Sequence, residues 1–77
     1  METALSELPP FTAGTVIRLT EHGPMRRRLM DLGFVPGAKV ENLFHNAGKS
    51  LTAYGIFGTV IALRRSDAAG ILVEYRL

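Results

Sequence analysis

Apolar residues along this chain recur at two different spacings. Between Pro24 and Gly33, Met25, Leu29 and Leu32 fall at i, i+4 and i+7, so they share one face of a short helix that is predicted to be buried. Gly23-Pro24 opens that helix, because proline at the first helical position has its φ preset and gives up no needed N–H. Gly33 closes it, where the chain after a last turn needs the left-handed conformation. Pro36-Gly37 then reads as the centre of a type II turn. Elsewhere the apolar residues are β-branched and come in short runs. Residues 13–20, 39–45, 50–57, 59–65 and 71–76 read as strands.

Details within these runs make further predictions. In 39–45, Val40 and Phe44 share one face with Asn42 between them, while Lys39, Glu41 and Leu43 share the other. Gly55 inside 50–57 signals a bulge or a close backbone approach. The run 59–65 is nearly continuous in apolar residues and is expected to be the most buried strand. Residues 46–49 (Asn46-Ala47-Gly48-Lys49) form a hairpin loop, and 66–70 a short turn in which Ser66 or Asp67 caps one helical turn. Ahead of the first strand, Leu5 and Leu8 give one helical turn that Pro9-Pro10 stops, a lead-in whose leucines pack against the body.

Five strands with turn signals between them, and one helix inserted after the first, describe a mainly β chain. The expected architecture is a small barrel of about five strands with one short α-helix. A closed barrel also removes sheet edges, which matters in a sequence this rich in valine, isoleucine and leucine. At 77 residues the chain is expected to be one domain, 1–77, near the size at which a core suffices without staples. It has no cysteine, so it must fold on apolar burial, and 47% hydrophobic residues make that feasible.

Charge sharpens the reading of the helix. Nine Lys+Arg against seven Asp+Glu give a formal charge of +2, which is not the excess of a general nucleic-acid binder. Yet Arg26, Arg27 and Arg28 occupy the first turns of the helix and Asp31 its end. Each charge set against the macrodipole in this way costs ~0.3–1 kcal/mol when exposed. Pairing of Arg27 or Arg28 with Asp31 returns ~0.2–0.5 kcal/mol. Helix stability alone does not select this arrangement, and the residues leave two readings open: a solvated basic face, or a partner surface. Met30 lies outside the 25/29/32 stripe and is either an exposed contact residue or packed under the neighbouring loop.

Candidate chemistry is sparse. Gly48-Lys49-Ser50 suggests a phosphate loop, but a Walker A motif needs glycine where Leu43 stands, and a strand rather than a helix follows. His22 and His45 belong to no metal-ligand spacing, so neither a metal site nor another cofactor is expected. Ser6, Ser50 and Ser66 sit at turn or cap positions, and the acids are scattered, so catalysis is not expected. No apolar run approaches the ~20 residues of a membrane span, and Met1-Glu2-Thr3 does not begin a secretory signal, so the chain is expected to be soluble and cytoplasmic.

The order Leu5-Ser6-Glu7-Leu8, then Arg26-Arg27-Arg28-Leu29-Met30-Asp31-Leu32-Gly33-Phe34-Val35-Pro36-Gly37, then Ile61-Ala62-Leu63-Arg64-Arg65, then Ile71-Leu72-Val73-Glu74, resembles the FeoA family over nearly the whole chain. The helix with its R-R-L-x-D-L-G-x-x-P-G ending is the most specific part. The resemblance implies an SH3-like barrel and an accessory or regulatory partner of FeoB, the GTPase-coupled membrane permease for ferrous iron. The chain would then meet the membrane only through that partner. It departs from the family at 46–49, where many members carry a Gly-Asp-Pro turn.

The expected partner contact is Arg26, Arg27 and Arg28 with Met30 and Asp31, facing an acidic surface. Arginine suits that role because its planar fork binds carboxylates in a bidentate manner. Self-association through a barrel edge is compatible with this. The alternative is a small-barrel module that binds nucleic acid through Arg26 to Arg28, Arg64 and Arg65, or another peptide-binding adaptor. No strand interleaves basic and aromatic residues as the nucleic-acid reading requires.

Overall fold

The computed structural model describes residues 1–45, 48 and 50–76. Six strands form one antiparallel sheet: β1 (Glu2–Ala4), β2 (Ala13–Leu19), β3 (Lys39–His45), β4 (Leu51–Ile56), β5 (Thr59–Arg64) and β6 (Ile71–Tyr75). Their order across the sheet is β1-β6-β2-β3-β4-β5. Helix α1 (Gly23–Asp31) follows β2, and a one-turn helix α2 (Arg65–Ala68) follows β5. The five expected strands are all present. The sixth is β1, too short to carry an alternating pattern, which pairs with the middle of β6 through Glu2↔Glu74, Thr3↔Val73 and Ala4↔Leu72.

Two bulges curve the sheet. Ile17 is the extra residue between β2 and β6, and Leu43 the extra residue between β3 and β4. The second bulge changes the expected faces of β3. Val40 and Asn42 point inward, but beyond the bulge the parity inverts and Phe44 is exposed. Gly55, by contrast, pairs regularly with Glu41 and Val60. The approach there is by a side chain rather than by backbone: a Cβ would meet Leu43 Cδ1 at 3.4 Å.

β5 also departs from expectation. It is not the most buried strand but an end of the sheet, where Leu63 alone is fully buried. The apolar run misleads because an edge strand packed on one face only needs few buried residues. The ladder is thus not closed by strand pairing. Between β1 and β5 lie a 3-10 turn (Leu5–Glu7) and α2, joined by the ion pair of Arg65 with Glu7. The Tyr54 hydroxyl donates to the Leu5 carbonyl at 3.3 Å, and the Asn42 side-chain amide donates to the Leu8 carbonyl at 2.9 Å. The lead-in leucines, Leu5 and Leu8, are buried as expected. α2 forms without the expected side-chain cap: it starts at Arg65, so Ser66 and Asp67 lie inside it. The 46–49 loop lies outside the described residues apart from Gly48.

The core fills the inside of the curved sheet with Leu5, Val16, Leu29, Phe34, Val40, Tyr54, Ile71 and Val73, each under 2% exposed. Phe34 and Tyr54 meet edge to face with ring centroids 6.5 Å apart, a geometry that contributes ~0.5–1.5 kcal/mol beyond area burial.

Candidate docking surface

Helix α1 is fixed at both ends by backbone chemistry. Gly23 and Pro24 begin it, and the chain leaves it through two hydrogen bonds, Gly33 N–H to Met30 C=O (3.0 Å) and Phe34 N–H to Leu29 C=O (3.1 Å). That pair is a Schellman closure, and Gly33 adopts the required positive φ of 114°. The Val35-Pro36-Gly37-Ala38 turn then closes with Ala38 N–H to Val35 C=O at 3.0 Å and Gly37 at φ 89°.

The buried face differs from the predicted stripe. Leu29 is buried and Met25 half-buried against the core, but Leu32 is 37% exposed. Met30 is the third anchor, half-buried and packed against the core, which favours the packed one of the two readings left open for it. The reason is the helix end. Leu32 is the C-cap, and the turn that follows sends Phe34, fully buried, into the core at this end.

Arg26, Arg27, Arg28 and Asp31 are all exposed. Arg26, Arg27, Met30 and Asp31 line one shallow depression of about 330 Å³ beside Gly23; Arg28 does not border it. Arg28 sits in the last turn rather than the first, where a cation is favoured by the macrodipole. The pairing of Arg27 or Arg28 with Asp31 does not form; among the described residues the ion pair present is Arg65–Glu7. Among the described residues, the three guanidinium groups of the helix have no carboxylate partner.

Sequence reasoning missed the apolar rim beside this helix. Phe57 and Val60 are 72% and 61% exposed. A Cβ on Gly33 would meet Phe57 Cδ2 at 3.0 Å, so the ring lies against the chain next to Leu32. Phe57 is not in a strand but at the tip of the β4–β5 hairpin, where Phe57 (φ 50°) and Gly58 (φ 74°) form the turn. Such positive-φ pairs are usually Asn-Gly or Asp-Gly, and an aromatic there is costly. The one sequence signal was Gly58 directly after Phe57.

A second concavity, of about 440 Å³, lies beside the 3-10 turn and is lined by Glu7, Leu8, Pro9, Asn42, His45 and Arg65, among others. Asn42 is 5% exposed, and its Oδ1 has no hydrogen-bond partner. Among the described residues no group of three or more His, Cys, Asp or Glu side chains converges in a metal-binding arrangement. Among the described residues no helix is long and apolar enough to cross a membrane.

A curved six-stranded antiparallel sheet with a helix laid on one side, displaying cationic and apolar side chains, defines a small SH3-like barrel. Two solved structures bear this out. The FeoA protein of Chlorobium tepidum is 34% identical, with a TM-score of 0.87 over 95% of this chain and 70% of that one. The zinc-complexed FeoA of Stenotrophomonas maltophilia, described as an SH3 domain protein, is 32% identical with a TM-score of 0.82 over 96% of this chain and 89% of that one.

The FeoA domain model matches residues 3–75, and the chain belongs to the FeoA family, whose members are involved in ferrous iron transport. A curated relative is the Fe(2+) transport protein A/Fe(2+) transporter FeoB fusion protein of Porphyromonas gingivalis, 33% identical over 70 residues. That match takes in 91% of this chain and spans 8% of the relative's length.

Proposed function

We propose that this chain is a cytoplasmic accessory protein of ferrous iron uptake that acts by binding a FeoB-type GTPase-permease, without catalysing a reaction itself. The observation that carries this reading is the Porphyromonas gingivalis relative, in which a FeoA part and a FeoB part share one polypeptide. Joining two modules on one chain raises their mutual concentration to about the millimolar range for a short flexible linker, which serves proteins that act in contact.

The docking surface is the outer side of α1, with Arg26, Arg27, Arg28 and Asp31 around the half-buried Met30, flanked by Leu32 and Phe57. Exposed arginines that have no carboxylate partner among the described residues suit bidentate contacts to carboxylates, and the adjoining apolar side chains supply area that excludes water. The partner face is accordingly acidic with an apolar centre. The test is co-purification with the full-length ferrous iron permease of the same cell, with and without GTP. Binding by the wild type that the Arg26/Arg27/Arg28→Ala variant loses supports the reading. Retention of binding by that variant removes the helix from the interface, and no binding by the wild type removes the partner.

A further inference from the structure

We propose that β5 joins two copies of this chain, pairing antiparallel with its own counterpart about a two-fold axis at Ala62, so that two sheets continue as one. The backbone sets this up. The two-residue turn Phe57-Gly58 makes Ile56 and Thr59 a hydrogen-bonded pair. Every second residue repeats that pairing, down to the Arg65 N–H that donates to the Ser50 carbonyl at 2.9 Å. Thr59, Ile61 and Leu63 therefore direct their N–H and C=O groups to β4. Those of Val60, Ala62 and Arg64 point the other way, and no described residue bonds to them. α2 adjoins this edge at its Arg64 end, and the 3-10 turn packs on α2 and β6 rather than along β5.

The two ends of the sheet differ in protection. β1 is three residues long and carries an acid, Glu2. β5 is six residues long, holds no proline, lysine or acid, and pairs with β4 without a bulge. The usual guards of a sheet edge are missing from it, and what such an edge takes up is another strand.

The residues of β5 select its own counterpart as that strand. About Ala62, antiparallel pairing sets Ile61 opposite Leu63 on the core side and Val60 opposite Arg64 on the outer side. Ala62 meets Ala62, whose small side chain leaves the axis clear. The two Arg64 backbones stand roughly 13 Å apart along the strands, beyond the ~8 Å Debye length at physiological salt, so the one charge on β5 does not oppose itself.

Charge complementarity points the same way. Glu41, Gly55 and Val60 form one row across the outer face and line a concavity of about 470 Å³. Pairing brings Arg64 of the second copy into that row next to Val60. Its stem then lies on Val60 and its guanidinium faces Glu41, an exposed acid with no ion pair among the described residues. Lys39, the other charge bordering the concavity, lies two residues further along β3. The two-fold axis makes the Arg64–Glu41 contact twice.

The test is sedimentation equilibrium of the whole chain over a concentration series, with circular dichroism to check the fold. Wild type is expected to show a monomer–dimer equilibrium. Ala62→Lys sets two ammonium groups face to face at the axis and should weaken the dimer at least about tenfold. Ala62 is exposed, so the monomer fold tolerates the change. Ala62→Glu should dissociate likewise on its own, while an equimolar mixture of the two variants associates at least as tightly as wild type. Recovery in the mixture is specific to a register in which residue 62 faces itself. A wild type that stays monomeric at every concentration overturns the proposal. So do variants that dimerise as tightly as wild type, and a mixture no more associated than either variant alone. A monomeric wild type whose permease binding is lost in Ala62→Lys assigns the edge to a partner strand and overturns the second copy as its occupant.

Discussion

Two helical segments of this barrel carry arginine, and they use it differently. In α2, Arg65 reaches back to Glu7 and joins the end of the sheet at β5 to the lead-in before β2, so its charge belongs to the fold. In α1, Arg26, Arg27 and Arg28 are exposed and have no carboxylate partner among the described residues. Both sets are exposed, so burial does not distinguish them. What does is whether the chain supplies a counter-charge. A charge that the fold leaves uncompensated is available to another molecule, and that is the physical content of assigning docking to α1.

The largest effects should come from the platform beneath α1. Phe34→Ala removes a fully buried ring that packs on Tyr54 and is expected to cost ~3–5 kcal/mol, enough to unfold much of a chain this small. Denaturant unfolding followed by circular dichroism would measure it. Gly33→Ala should cost ~1–3 kcal/mol, because the position holds φ 114° and the new Cβ would press on the Phe57 ring. Its crystal structure should show Phe57 displaced. A variant of wild-type stability would mean that the helix end and the hairpin tip are not tied together.

On the α2 side, Tyr54→Phe deletes the bond to the Leu5 carbonyl and is expected to cost ~0.5–1.5 kcal/mol. It should also alter the alkaline limb of stability. Burial pushes the Tyr54 phenol above its ordinary value of 10.0, although a hydrogen bond with Thr52 and the Arg65 charge pull it back. The folded chain holds the proton longer than the unfolded chain does, so this contribution is intact below about pH 10 and declines as pH rises beyond it. Tyr54→Phe should flatten that decline in unfolding curves between pH 9 and about 11.

The smallest stability effects belong to the arginines themselves. Arg65→Ala breaks a half-exposed ion pair and is expected to cost only ~0–1 kcal/mol. The Arg26/Arg27/Arg28→Ala variant should stay within ~0.5 kcal/mol of wild type, since the three side chains are exposed and form no ion pair among the described residues. A triple variant that melts substantially lower would place those arginines in the fold after all and cancel the contrast with Arg65.

Much of this architecture was legible in the residues, and what was not has identifiable causes. Helix α1, its glycine closure and the Pro36-Gly37 turn follow from local backbone rules, which need no tertiary information. The five longer strands were legible for the same reason. β1 was not, because three residues carry no period and its pairing with β6 is fixed by a contact between the chain's two ends. Phe44 and Leu32 were misassigned because a bulge and a helix cap each shift the facing of residues beyond them. The burial of β5 was overestimated because apolar content does not say where in the sheet a strand stands. The arginine cluster was visible in the residues, but its lack of counter-charge and the exposed Phe57 beside it depend on long-range geometry. Asn42 as an orphaned acceptor depends on it entirely.

The central claim is that the arginines of α1 serve binding while Arg65 serves the fold. The most direct test is a titration of the full-length ferrous iron permease with wild type, with the Arg26/Arg27/Arg28→Ala variant and with Arg65→Ala, alongside their unfolding curves. The account predicts that the triple variant loses at least about tenfold in affinity at unchanged stability, whereas Arg65→Ala still binds through α1. A triple variant that binds as tightly as wild type would contradict it.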